Sequence, residues 1–410
     1  MQTALPESLL QTTRGRQADT ILRNCVHCGF CNATCPTYQL TGDELDGPRG
    51  RIYLIKQVLE GQAPTAKTRL HLDRCLTCRA CETTCPSGVD YHLLLDTGRA
   101  LTEQATRRPL PERMLRRMLR MTLAHRTRFT LLLRAGQLVR PLLPAALKAR
   151  VPVRQQVTPL RSAAARSRLV LMLNGCVQPA LAPQINRATE RLLYALGISV
   201  IREPGDGCCG ALSHHLNATA EAHDFMRHNI DVWWPHIEGG VEAIVVTASG
   251  CAPMLKDYGR LLADDPVYAE KAARVSALAR DLSEIITAEQ PWNILPRAAA
   301  TRVAFHSPCT LQHGQRLNGV VEHLLQQCGY QLTAVSDAHL CCGSAGTYSI
   351  LQSRLATALR DNKLAALQAD APQLIATANI GCLAHMSGQA TVPVLHWVEL
   401  LGSLLPGEST

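Results

Sequence analysis

Aromatic side chains are scarce, at 4% of 410 residues. Proteins that hold single-stranded nucleic acid stack bases on such rings, so the formal charge of +9 is poor grounds for a nucleic-acid partner. The chain also has no run of about 18 apolar residues of the kind that crosses a bilayer. The nearest, LLLRAGQLVRPLLPAAL, is broken by Arg134, Arg140 and two prolines. The first twenty residues lack the apolar core of a secretory signal. No Walker A, HExxH, GxSxG or CxxCH pattern occurs, and no catalytic residue is assigned. Acidic residues are nearly missing from one stretch. Residues 99–168 hold seventeen Lys and Arg against Glu103 and Glu112, a net +15 that leaves the rest of the chain at −6.

What is abundant is cysteine, 17 in all. In a chain without a secretory signal, that points to metal or redox chemistry rather than disulfides. Two runs, CVHCGFCNATCP at 25–36 and CLTCRACETTCP at 75–86, both read C-x2-C-x2-C-x3-C-P. This is the spacing of a two-cluster bacterial ferredoxin, in which the fourth cysteine of each run serves the other cluster. Three thiolates on one tight loop cover three corners of a cube, and the fourth must come from elsewhere. The expected sets are Cys25, Cys28, Cys31 and Cys85 for one [4Fe–4S] cluster, and Cys75, Cys78, Cys81 and Cys35 for the other. A zinc site would leave the third and fourth cysteine of each run without a use. Between the runs, Gly47-Pro48 marks a turn, and Ile52, Ile55 and Leu59 give one face of a helix. Arg49 and Arg51 either offset cluster charge or lie in a solvated turn.

The other cysteines repeat. Cys176, Cys208, Cys209 and Cys251 recur as Cys309, Cys341, Cys342 and Cys382, at offsets of 133, 133, 133 and 131. Four residues holding register over such a distance indicate an internal duplication. Each half alternates short apolar strands with helices: RLVLMLNG, ISVIRE and EAIVVTASG, then RVAFHSP, YQLTAV and QLIATANIG. That pattern predicts parallel α/β units, with every one of these cysteines just beyond a strand's carboxyl end, where open sheets hold ligands. Each set of four is therefore expected to converge on one iron–sulfur cluster, with a zinc ion or a reactive dithiol as alternatives. Cys328 has no partner in the repeat, its counterpart being Leu196, and is expected to be a core residue.

GDGCCG matches a dinucleotide-binding G-x-G-x-x-G, but the second repeat keeps the cysteines and drops the first two glycines, so the thiols define the motif. His306, His313 and His385 lie near the expected cysteine sites, where each could ligate, relay protons or be structural. In the basic stretch, Met114, Leu115, Met118, Leu119, Met121 and Leu123 alternate with arginines at helical spacing. Such a helix suits an anionic membrane surface or a partner subunit, or is a solvated linker.

The segment LRNCVHCGFCNATCPTYQLTGDELDGPRGRIYLIKQVLEG, followed by HLDRCLTCRACETTCPSGV, resembles the iron–sulfur subunits of bacterial glycolate oxidases. The later repeats are similar to the CCG cysteine-rich domains of those subunits, and the resemblance covers nearly the whole chain. It implies an α+β multidomain protein: a mainly helical two-cluster ferredoxin domain over 1–98, a basic helical linker over 99–167, and two duplicated α/β CCG domains with parallel sheets over 168–298 and 299–410. It further implies an electron-transfer subunit, inactive alone. Flavin-containing partner subunits would oxidise glycolate to glyoxylate and pass electrons through this chain toward the quinone pool, with the chain cytoplasmic and peripheral on the inner face of the membrane. Related flavin dehydrogenases of the glycerol-3-phosphate or lactate type, and thiol or disulfide reductases, are the alternatives. One departure stands out. The full CCG motif of heterodisulfide reductases ends C-x-x-C, whereas Met254 and His385 occupy the last position here.

Overall fold

The structure, a computed structural model, describes residues 1–144, 148, 151–155 and 166–406. Part of the expected linker over 99–167 thus lies outside the described residues.

The first hundred residues are helical. Thr13–Asn24 is capped by the Thr12 side chain, which accepts from the Gly15 amide. Pro48–Leu59 starts on a proline, suited to a first turn. Its residues Ile52, Ile55 and Leu59 turn inward as their spacing predicts. Ala66–Asp73 begins with a reciprocal Thr65/Thr68 capping box. Against all three lies Tyr91–Ala105. Leu22, Ile55, Leu72, Leu94 and Leu95 form the shared core. At Gly98 two of these helices pack closely, since a Cβ there would stand 2.5 Å from Ile55 Cγ1.

Two α/β units follow, each with a four-stranded, all-parallel sheet. In the first, β1 (Arg168–Met172), β2 (Ile198–Ile201), β3 (Ala243–Val246) and β4 (Ala279–Asp281) lie in the order β2-β1-β3-β4. In the second, β5 (Arg302–His306), β6 (Gln331–Leu332), β7 (Leu374–Thr377) and β8 (Val394–His396) lie in the equivalent order β6-β5-β7-β8. The duplication read from cysteine spacing is thus a duplication of topology.

The two units share one core. Ile185, Leu192 and Leu193 of one pack with Leu324, Trp397 and Leu401 of the other. The Ser249 amide donates to the Ala378 carbonyl at 3.0 Å, and His396 Nε2 lies 3.0 Å from the Thr247 carbonyl. Cys328 is 1% exposed inside this core and caps the helix Val320–Gln327.

The basic stretch forms two helices, Leu110–Leu123 and Arg126–Val139. Many of its arginines turn toward the chain's own acids. Arg108, just ahead of the first helix, is buried among Asp73, Glu103 and Glu112. Arg116 reaches Asp73 and Glu112, Arg120 reaches Glu221, and Arg126 reaches Asp206. These helices therefore strap the helical region to the first α/β unit. Leu110, Met114, Met118, Met121, Leu131, Leu132 and Leu138 are left exposed, alongside exposed Arg113, Arg117 and Arg128.

Candidate metal centres

Both ferredoxin-type runs fold as tight loops that lead into short helices, Phe30–Ala33 and Ala80–Thr84. Each loop takes two left-handed residues at matching places, His27 and Gly29 in one, Thr77 and Arg79 in the other. Those kinks curl the C-x-x-C segment around its thiols, so that the Thr77 amide points at Cys75 Sγ at 3.4 Å. Gly29 also leaves room for Arg49, whose Nη1 would lie 2.7 Å from a Cβ at that position.

Two hollows result. Cys25, Cys28, Cys31 and Cys85 line the first, together with Pro48, Ile52 and Val89. Cys35, Cys75 and Cys78 line the second, with Leu76, Arg51 and Tyr91. Cys81 borders both. The structure thus brings each expected set of four to one place. Burial, then the neighbouring Cys25, Cys28 and Cys85, push the Cys31 thiol up to about 11. Burial first, and then Cys309 and Cys35, raise Cys78. Thiols crowded in this way stay protonated unless a cation joins them, and a metal centre supplies that positive charge. The donor sets and apolar walls fit a [4Fe–4S] cluster in each hollow.

Of Arg49 and Arg51, which follow the turn between the runs, Arg51 is buried and Arg49 is not. Arg51 Nε donates to the His71 carbonyl at 2.7 Å, and both terminal nitrogens lie 3.2 Å from Thr37 Oγ1, itself 3.2 Å from Cys35 Sγ. Burial alone would lower its pKa, but Cys75, Tyr91, Cys35 and Asp46 hold it above the usual value. Arg49 instead pairs with Glu44 at 2.6 Å on the surface.

In the α/β units the cysteines stand past the carboxyl ends of the strands, and the adjacent pair has a structural cause. The glycine after each pair, Gly210 and Gly343, has φ of +89° and +85°. A Cβ there would meet the carbonyl of Ala222 at 3.0 Å or of Ala356 at 2.6 Å. With glycine the chain turns so that its amide faces the first thiol of the pair, Cys208 or Cys341, at 3.4 Å in both repeats. In the first repeat Asn229 and Tyr258 hold the carbonyls of Cys208 and Cys209. In the second, Cys309 and Cys341 Sγ are 3.7 Å apart, and Asn379 Nδ2 lies 3.4 Å from Cys382 Sγ. Hydrogen bonding with Cys208 and burial raise Cys176, as Cys341 and burial raise Cys309.

The three histidines part ways. His313 uses both ring nitrogens, on Thr83 and on the His339 carbonyl. His385 places Nε2 3.2 Å from the Ala356 carbonyl. His306 is buried beside Cys342 and Cys382. Met254 packs into the core of the first unit. Lys363 was not singled out from the sequence, yet it is buried with Nζ 2.6 Å from the Asp337 carbonyl. Burial lowers its pKa, while Cys341 and Cys342 pull it back up. Nothing in a lysine within an amphipathic helix signals that position.

The helical region docks across both units. Arg79 pairs with Asp257 at 3.3 Å and His214 with Asp96 at 3.0 Å. Tyr348 donates to the Arg74 carbonyl at 3.1 Å. Leu76 lies in one apolar cluster with Cys309, Cys341 and Tyr348, and Cys78 packs against that cluster. The second ferredoxin-type hollow thus abuts the second repeat's cysteines.

Known proteins agree with this geometry. A family model described as a 4Fe-4S dicluster domain matches residues 21–89, and one described as a cysteine-rich domain matches 170–256 and 303–387. The glycolate oxidase iron-sulfur subunit of Escherichia coli (strain K12) is 54% identical over the full length of both chains. A probable glycolate oxidase iron-sulfur subunit of Bacillus subtilis (strain 168) is 32% identical, covering 89% of this chain and 88% of that one. Lactate utilization protein A of Bacillus licheniformis is 27% identical over 56% of this chain and 96% of its own length. A hypothetical protein from Helicobacter pylori of known crystal structure has a TM-score of 0.57 at 10% identity, covering 98% of this chain and 77% of that one, a likeness of fold alone. Two loops built to receive [4Fe–4S] clusters, a duplicated cysteine-rich fold and a full-length relative make this chain a member of the glycolate oxidase iron–sulfur subunit family.

Proposed function

We propose that this chain is the one-electron relay between flavin-containing subunits that oxidise glycolate to glyoxylate and a membrane quinone pool. The observation that carries it is the contact between the second ferredoxin-type hollow and the cysteines of the second repeat. A [4Fe–4S] cluster, when bound, accepts and gives up single electrons. In this reading Cys25, Cys28, Cys31 and Cys85 hold one cluster and Cys75, Cys78, Cys81 and Cys35 hold the other. Cys176, Cys208, Cys209 and Cys251, and Cys309, Cys341, Cys342 and Cys382, hold two further metal centres at the strand ends. Tyr91, Leu76 and Tyr348 keep water from the second hollow and its neighbour, while Arg51 and Lys363 bring positive charge.

No helix among the described residues is long and apolar enough to cross a membrane. The exposed face of the two strap helices mixes apolar side chains with Arg113, Arg117 and Arg128, none of which has a salt-bridge partner among the described residues. That is the chemistry of an anionic lipid surface. We assign this face to the membrane's inner side, which places the relay beside the quinone pool.

The test is glycolate-dependent reduction. The chain, purified without oxygen and joined to the flavin-bearing subunits, is expected to hold ~16 iron atoms if all four centres are tetranuclear, and to show reduced-cluster paramagnetic resonance within turnover of adding glycolate. A complex that oxidises glycolate while the clusters stay oxidised would overturn the relay. About eight irons would confine the path to the ferredoxin-type sites.

A further inference from the structure

We propose that Nε2 of His306 is a ligand of the metal centre in the second repeat, completing a set with Cys309, Cys341, Cys342 and Cys382. The inference rests on the reading above that this repeat holds a metal. His306 is the last residue of β5 and is 2% exposed. Its Nδ1 lies 3.0 Å from Thr377 Oγ1 at the end of β7. Its Nε2 is buried with no hydrogen-bond partner among the described residues. Leaving a buried polar atom without a partner forfeits its hydration with nothing in return, so a persistent one calls for a cause. The ring of His306 stands beside two thiols: a ring nitrogen of His306 and the sulfurs of Cys342 and Cys382 all lie within 4.8 Å of one another.

The geometry is that of a metal-binding imidazole. One ring nitrogen is fixed by a neighbouring side chain, which sets the tautomer and aims the other nitrogen's lone pair. In the tautomer that carries its proton on Nδ1, toward Thr377 Oγ1, Nε2 is left to accept. Asn379, 3.4 Å from Cys382 Sγ, supports the thiol beside it in the same manner.

In the second repeat, this ligand compensates for the altered end of the motif. His385 stands where heterodisulfide reductases carry a fifth cysteine, but its Nε2 faces the Ala356 carbonyl. The fifth ligand comes instead from the strand end, three residues before Cys309. The first repeat has no such group. The offset that aligns Cys176 with Cys309 aligns Leu173 with His306, and Leu173 is a core residue of the first unit. The two repeats thus share a fold and differ in ligand set, four thiolates in one, four thiolates and a neutral nitrogen in the other. The nitrogen lies in the repeat that touches the second ferredoxin-type site.

The test uses the full chain, prepared without oxygen with 15N-labelled histidine. Pulsed paramagnetic resonance reads nitrogen coupling on any iron centre, and X-ray absorption reads a nitrogen shell if the metal is zinc. The expected result is a histidine nitrogen signal in the native chain. It should vanish, with loss of one centre's metal or a changed spectrum, in His306→Leu. In His306→Cys, which restores a donor, the metal should be retained without the nitrogen signal. Absence of any histidine nitrogen signal in the native chain overturns the proposal, and so does a His306→Leu protein with unaltered spectra. A Cys341→Ser/Cys342→Ser double variant separates the two levels. If it loses metal while His306→Leu leaves the spectra unaltered, the repeat holds a centre without His306. If it loses none, the repeat is not a metal site, and its centre and its histidine ligand fall together while the relay is confined to the ferredoxin-type sites.

Discussion

Gly98→Ala tests how the helical region transmits packing to its cysteine loops. The added Cβ would lie 2.5 Å from Ile55 Cγ1 and 3.0 Å from both Cδ1 and Cγ2, where carbon atoms prefer about 3.5–4.0 Å. Three atoms of one β-branched side chain surround the position, so a change of rotamer offers little escape. Ile55 is fully buried, and the helices Pro48–Leu59 and Tyr91–Ala105 must part by roughly 1 Å. Overpacking of this kind costs about 1–3 kcal/mol, and the better helix propensity of alanine returns up to ~1 kcal/mol. A net loss of ~1–2 kcal/mol corresponds to a ~5–30-fold larger open population. The same helices carry Arg51 and Arg99, and Arg99 Nη2 donates to the carbonyls of Leu72 and Cys75 at 2.8 Å. The opening should therefore reach the second cluster loop. Amide hydrogen exchange across both helices should accelerate by that factor, and the visible absorbance should bleach faster under a chelator. Ile55→Ala on its own leaves a cavity costing ~2–5 kcal/mol. Combined with Gly98→Ala, it should cost clearly less than the two single changes added together. Unchanged exchange in Gly98→Ala, or strictly additive costs in the double variant, would refute the clash.

Arg51→Met removes a buried positive charge beside the second cluster site. Asp46 keeps His71 at 2.8 Å and Arg74 at 2.7 Å, so the fold should survive. A unit charge at contact range in an effective dielectric of about 20 is worth ~2–4 kcal/mol, on the order of 100 mV for one electron. A redox titration should find one cluster harder to reduce by about that much; an unmoved potential would remove Arg51 from the electrostatics of the site. Replacing Arg113, Arg117 and Arg128 together by glutamine should weaken binding to anionic vesicles by ~100-fold, at about 1 kcal/mol per basic residue. Equal flotation of the two proteins, or native binding as tight to neutral vesicles, would count against a lipid face.

Spacing carried much of this architecture. The cysteine register announced the duplicated topology, because parallel units place their loops at one sheet edge and strand ends recur at fixed intervals. The paired ferredoxin runs announced two sites because one tight loop covers only three corners of a cluster and leaves the fourth ligand to the other run. β4 and β8 were not legible, since three-residue strands such as Ala279–Asp281 have too little alternation to read. The strap arginines were visible only as a net charge. Their partners Asp73, Glu221 and Asp206 are distant in sequence, and composition does not report such pairs. Among the histidines, only packing shows which ring nitrogen is left free, so His306, His313 and His385 looked alike until Thr377, Thr83 and the Ala356 carbonyl were in place.

The shared core of the two α/β units has a kinetic meaning. Ser249 and Ala378 join them main chain to main chain, and a Cβ at Gly402 would stand 3.0 Å from Ala188 Cβ across the helix contact. Units clasped this closely move as one body, with the helical region pinned across them by Arg79, His214 and Tyr348. The separations between cysteine sites are thereby set when the chain folds, and no swinging domain is needed to bring donor and acceptor together. Passage within the chain should then be indifferent to solvent viscosity, and throughput is governed at its two ends, where electrons arrive and leave.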